Sequence, residues 1–204
     1  MEKLDLLKSL KELYTAKPGQ IIFSEVPPLN YLSIDGKGDP NTSSFYKDAV
    51  QALFSLAYGI KFAIKKGEQS IDFKVMPLEG LWWVEDMRKF NIEHKDEWLW
   101  SMMILQPQLV TAQLVDETRA SLLKKKGFPL LIKVQLVPLE EGKCAQTLHA
   151  GPYATEGPTV AALHAAIAEK GFQRMGKHHE IYLNTPLKTA PEKLRTIIRQ
   201  PVGL

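Results

Sequence analysis

The chain has 204 residues, 45% of them hydrophobic and 24% charged, which excludes a disordered chain and leaves room for one sizeable core. Its 26 basic and 23 acidic residues leave a formal charge of only +3, and the basic residues are dispersed rather than gathered on one face, which argues against direct nucleic-acid binding. One cysteine, Cys144, excludes an internal disulfide, apolar runs such as Leu130-Leu131-Ile132 fall far short of the ~20 residues of a membrane span, and no signal peptide opens the chain, so the expectation is a cytoplasmic protein without a membrane partner.

Leu6, Leu10 and Leu13 share a face and predict a short helix over Leu4 to Tyr14, ended by Lys17-Pro18-Gly19. Asn30 to Asp35 alternates as a strand, and 36–41 has turn composition. Ser43 or Ser44 caps a long helix. Its stripe Phe45, Ala49, Leu53, Leu56, Ile60, Ile64 is widened by Tyr46, Val50, Phe54, Tyr58, Phe62, so packing on more than one side is expected. After Gly67, Ile71 to Pro77 and Gly80 to Val84 read as strands, Glu85 to Lys95 as a loop or short helix, and Glu97 to Leu105 as a strand. Thr111 to Lys126 is helical, with Lys124-Lys125-Lys126 and Gly127 suited to a helix C-terminus. Leu130 to Pro138 and Lys143 to His149 are strands.

The pattern then returns. Gly151-Pro152-Tyr153 is a turn, Thr155 caps a helix through Val160, Leu163 and Ile167, and Gly171 ends it. His178 to Asn184 and Leu194 to Gln200 are strands. Strand, Gly/Pro turn, helix, strand, strand thus occurs twice. The short connections predict an α+β fold with a mostly antiparallel sheet, helices on one face and the other face open as a ligand cleft between the halves. One domain is expected, with unit one about 29–106, an inserted segment about 107–128 and unit two about 130–204.

The C-terminal quarter carries a resemblance. His149-Ala150-Gly151-Pro152-Tyr153, His179-Glu180-Ile181-Tyr182-Leu183-Asn184-Thr185-Pro186, and Pro191 to Ile198 through Pro201-Val202 resemble the GyrI-like small-molecule-binding family. Tyr31 to Asn41, Leu78-Glu79-Gly80-Leu81-Trp82-Trp83 and Glu141 to Cys144 resemble a stand-alone subgroup, members of which are linked to hydrolysis of cyclopropane-bearing DNA alkylators. The resemblance implies a duplicated U-shaped sheet around a cleft, with a glutamate at its floor meeting a ligand's positive charge. Glu180 matches that position. The chain has no helix-turn-helix in residues 1–28, which sets it apart from the family's transcription regulators.

Alternation places His178, Glu180 and Tyr182 on one strand face and His179, Ile181 and Leu183 on the other. If the apolar set meets a helix, Glu180 and Tyr182 face the cleft. A buried carboxylate needs a cation or a raised pKa. The plain alternative is an ion pair with Arg195 or Arg199. Four tryptophans offer aromatic walls. Trp98 and Trp100 share a face, against Leu99, Met103 and Leu105, while Trp82 and Trp83 point oppositely, and each is either ligand wall or core. Glu79 is a second carboxylate candidate, and Tyr153 and His178 complete the set. The five histidines lack ligand spacing, so no metal is expected, and no cofactor. Two functions follow. In one, Glu180 deprotonates water that opens an electrophilic ring, and Tyr182 hydrogen-bonds the carbonyl gaining charge; in the other, the same residues sequester planar cations without chemistry.

Overall fold

The computed structural model describes residues 2–85 and 95–204, so the loop expected over Glu85 to Lys95 lies almost wholly outside the described residues. In chain order the elements are β1 (Glu2–Leu4), α1 (Leu6–Ser9), β2 (Ile22–Val26), β3 (Leu29–Lys37), α2 (Ser44–Lys66), β4 (Ile71–Phe73) and β5 (Leu78–Trp83). They continue with β6 (Leu99–Gln106), α3 (Ala112–Lys126), β7 (Gln135–Leu139), β8 (Gly142–Ala150), α4 (Gly157–Glu169), β9 (Gln173–Arg174), β10 (His178–Tyr182) and β11 (Arg195–Gly203). The fold is α+β, with mostly antiparallel strand pairing. Among the described residues no helix is long and apolar enough to cross a membrane.

Two compact units form. The first holds Met1–Ser9, Leu29–Met76 and Trp83–Leu139; the second holds Leu10–Pro28, Pro77–Trp82 and Glu140–Leu204. In the first, β3 pairs antiparallel with both β6 and β7. In the second, β8 pairs with β2 and β11, and β10 lies between β11 and β5. The expected repetition is present: β3 pairs with β6 around α2 as β8 pairs with β11 around α4.

In the first unit, Ser43 caps α2 by accepting from the Tyr46 amide. The stripe Ala49, Leu53, Leu56, Ile60 and Ile64 is buried. The second stripe is covered only in part: Tyr46, Val50 and Phe54 are half-buried, while Tyr58 and Phe62 are about half exposed, at 48% and 47%. The second contact is at Gly59, where an added Cβ would stand 2.8 Å from Thr118 and 3.0 Å from Leu122 of α3. Thr111 caps α3 and Gly127, at φ +60°, closes it.

Four expectations need correction. Residues 4–14 are not one helix: Glu2–Leu4 pairs parallel with Ile71–Phe73, which is all that forms of the strand expected to reach Pro77. Leu13 and Tyr14 are buried instead, and the Glu12 and Leu13 carbonyls accept from Gln146 and Arg199 rather than from a following helical turn. The strand expected from Leu130 begins as a 3-10 turn, Pro129–Lys133, where Arg119 of α3 donates to the carbonyls of Leu131 and Val134. Thr155 does not cap α4. It lies in the turn Tyr153–Thr155 and donates to the Pro152 carbonyl at 2.8 Å.

Candidate functional site

The second unit carries a carboxylate set among aromatic rings. Glu180 stands in β10 with Ile198 opposite it in β11 and Gly80 opposite it in β5. Residues directly opposite in a sheet share a face. Ile198 belongs to a core with Ala145 of β8 and with Leu163 and Ile167 of α4, so Glu180, His178 and Tyr182 stand on the α4 face. This corrects the expectation that the Ile181 side meets the helix.

Gly80 shapes the site by what it lacks. A Cβ there would come within 2.8 Å of the Trp82 Nε1 and 3.2 Å of the Tyr182 hydroxyl. Without one, the Trp82 indole lies across the strands and donates from Nε1 to Tyr182 Oη at 3.1 Å. Tyr153 meets Tyr182 edge-on, with centroids 5.5 Å apart. Burial raises the Tyr153 phenol to about 12, and the charges of Glu180 and Glu156 add to the rise. His178 Nε2 lies 3.3 Å from Glu180 Oε1, with both residues buried. The ion pair with Arg195 or Arg199 does not form here: Arg199 stands opposite His179, on the other face, and Arg195 pairs with Ala150.

The turn that delivers Tyr153 is pinned by His149. Its Nε2 lies 3.0 Å from the Pro152 carbonyl and its Nδ1 3.0 Å from the Thr159 hydroxyl of α4. A carbonyl only accepts, so Nε2 carries a proton and, in the neutral ring, Nδ1 accepts from Thr159.

The opposite face carries a different set. Tyr14 donates to Glu79 Oε1 at 2.6 Å, and Glu79 Oε2 lies 3.0 Å from His179 Nε2. His179 Nδ1 lies 3.0 Å from Glu141, which meets Arg199 at 3.2 Å. Arg199 donates to Gln146 and to the Leu13 carbonyl. Burial disfavours a charged His179, yet the charges and hydrogen bonds of Glu141 and Glu79 overcome it and hold the ring up at about 9. Burial likewise opposes the Glu141 carboxylate, and His179 and Arg199 pull it down to about 2. Two carboxylates and two cations balance.

Of the residues singled out from sequence, Glu180, Tyr182, His178, Trp82 and Tyr153 are therefore brought together. Glu79, next to Gly80, points to the other face and is engaged there. Trp83, half-buried, points away from Trp82 and belongs to the first unit, as do Trp98 and Trp100. Trp100 is fully buried on the α2 face of β6, against Gly36, with Phe45 at 5.8 Å and Tyr46 at 5.2 Å, and donates to the Gly38 carbonyl. Of the two readings open for Trp100, ligand wall or core, its place is that of a core residue, and α2 meets the Trp100 side of the strand rather than the Met103 and Leu105 side. Trp98, also buried, has the Lys95 ammonium 5.4 Å from its ring centre. Among the described residues no three His, Cys, Asp or Glu are placed to hold a metal ion.

The sequence reading missed His149, His179, Glu141, Arg199 and Gly80 as parts of this architecture. Gly80 left a signal: a glycine inside a strand marks close approach of another group.

A model of the GyrI-like small-molecule-binding domain matches residues 19–202. The chain belongs to that family. It is similar to a conserved protein from Listeria innocua at 40% identity and a TM-score of 0.91, with 98% of this chain and all of that one aligned. A hydrolase from Listeria innocua is also 40% identical, with a TM-score of 0.89 over 99% of this chain and 100% of its own. The EcmrR C-terminal domain, at 12% identity and TM-score 0.56 over 90% of this chain and 97% of its own, shares the fold alone. No curated protein matches significantly.

Proposed function

We propose that this GyrI-like chain binds planar aromatic, often cationic molecules beside Glu180 and hydrolyses an electrophilic, cyclopropane-bearing toxin. One observation carries the reading: a buried carboxylate with an imidazole at 3.3 Å, on the strand face it shares with Tyr182, against which Trp82 and Tyr153 are set. Similarity to Listeria innocua hydrolases supports it.

Glu180 takes a proton from water as the new C–O bond forms at the ring carbon and the strained C–C bond breaks. The released electron pair moves into the conjugated carbonyl, whose oxygen takes a proton from Tyr182. Tyr182 is suited to donate because its oxygen already accepts from Trp82 Nε1. The proton on Glu180 then returns to Tyr182 through solvent, and the net change is addition of one water. Placing base, acid and stacked substrate together supplies catalysis by orientation and proton transfer, the latter worth roughly 10²–10⁴-fold.

The family is defined by binding, so capture without chemistry is the competing reading. Incubation with excess cyclopropane alkylator, followed by mass, separates them. Many product equivalents per protein support hydrolysis, and protection capped at one equivalent supports capture.

A further inference from the structure

The ionic chain behind the site lies outside the proposed chemistry, yet it is built around the same two strands. Glu79 and His179 immediately precede Gly80 and Glu180 in β5 and β10, and their 3.0 Å contact is a charged rung across that strand pair. Because adjacent strand residues point to opposite faces, the rung fastens from behind the backbone that presents Glu180 in front. The segment Leu10–Ala16, which precedes the family-matched residues 19–202, closes it through Tyr14 and the Glu12 and Leu13 carbonyls.

We propose that the Tyr14–Glu79–His179–Glu141–Arg199 chain is a positioning device for Glu180, locking it opposite Gly80 while His179 is an imidazolium. The inference rests on Glu180 being the functional carboxylate. The geometry requires the charge. A carboxylate faces each ring nitrogen, and a neutral imidazole carries one N–H, so deprotonation would set a lone pair against a carboxylate. The groups facing His179 are Glu79 from β5, Glu141 from the turn before β8, Arg199 from β11 and Tyr14 through Glu79. Beyond Glu141 stands the Cys144 thiol of β8, raised to about 12 by burial and then by the Glu141 charge, with Glu25 of β2 behind it. Since His179 is held up at about 9, the lock opens as pH rises through that value. Removing one carboxylate must bring the opening to lower pH.

The test follows His179 and the site separately. Histidine labelled with ¹⁵N reports the His179 titration by NMR in the wild type, Glu79→Gln and Tyr14→Phe. Hydrolysis of a cyclopropane alkylator and the affinity for ethidium, a planar aromatic cation, report the site. The expected results are a wild-type midpoint near 9, a lower midpoint in Glu79→Gln, and kcat falling with the same midpoint in each protein while KM for an uncharged alkylator holds and the affinity for cationic ethidium, which needs Glu180 in place, weakens. Tyr14→Phe keeps both carboxylates and serves as the folded comparison if Glu79→Gln does not fold; its kcat should still fall with its own His179 midpoint. Activity that ignores the His179 titration in any folded variant overturns the proposal. If no protein turns the alkylator over, the hydrolase reading fails alone. The positioning claim then stands if ethidium affinity follows the His179 midpoint and falls if it does not.

Discussion

At the residue scale the site depends on single atoms that are present or missing. Gly80→Ala would push a methyl to 2.8 Å from the Trp82 Nε1, so the indole must leave Tyr182. The expected outcome is a loss of about 1–3 kcal/mol of stability from overpacking and a shifted tryptophan emission; unchanged emission and melting would remove Gly80 from the account. Trp100 tests the opposite assignment. Being fully buried between Gly36 and α2, it should cost about 3–5 kcal/mol of folding stability as Trp100→Ala. Unchanged melting with weakened ethidium binding would return it to the ligand site. Alternation identified both faces of each strand correctly, as Trp82 against Trp83 and Glu180 against Ile181 show. It did not identify which face a helix covers, because buried polar groups that satisfy one another read as exposed in a sequence. The partners are too distant to see: Tyr14 and Glu79 are 65 residues apart, Glu79 and His179 100.

At the scale of elements, signals within a few residues were legible. Ser43, one of the two caps expected, caps α2, Gly127 takes the left-handed conformation that ends α3, and Thr111, expected as the first helical residue, is the cap one position earlier. Thr111→Ala and Ser43→Ala should each cost about 1 kcal/mol in chemical denaturation, and no loss for either would show that solvent replaces the cap. What local signals could not settle was competition from afar. Leu10 to Tyr14 has helical spacing, and the Leu10 and Lys11 carbonyls accept from the Tyr14 amide, but those of Glu12 and Leu13 go to Gln146 and Arg199. Leu130 to Lys133 has strand composition, but Arg119 holds the Leu131 carbonyl in a 3-10 turn.

At the scale of the whole molecule, pH should act on stability through the buried ionic chain. His179 rises from 6.5 to about 9 on folding, so its contribution is full below 6.5 and is lost as pH climbs through 9. Glu141 falls from 4.5 to about 2, so its contribution is full above 4.5 and is lost on acidification through 2. Denaturation should therefore show a plateau between these ranges and a decline of a few kcal/mol on the alkaline side, at ~1.4 kcal/mol per pH unit per proton. A stability curve flat from pH 6 to 10 would contradict a charged His179. Glu180→Gln removes the proposed base and keeps the shape, so it isolates the part Glu180 plays in the chemistry. With excess cyclopropane alkylator and product counted by mass, the wild type should form many equivalents and a folded Glu180→Gln none; product formation by Glu180→Gln at the wild-type rate would contradict the account.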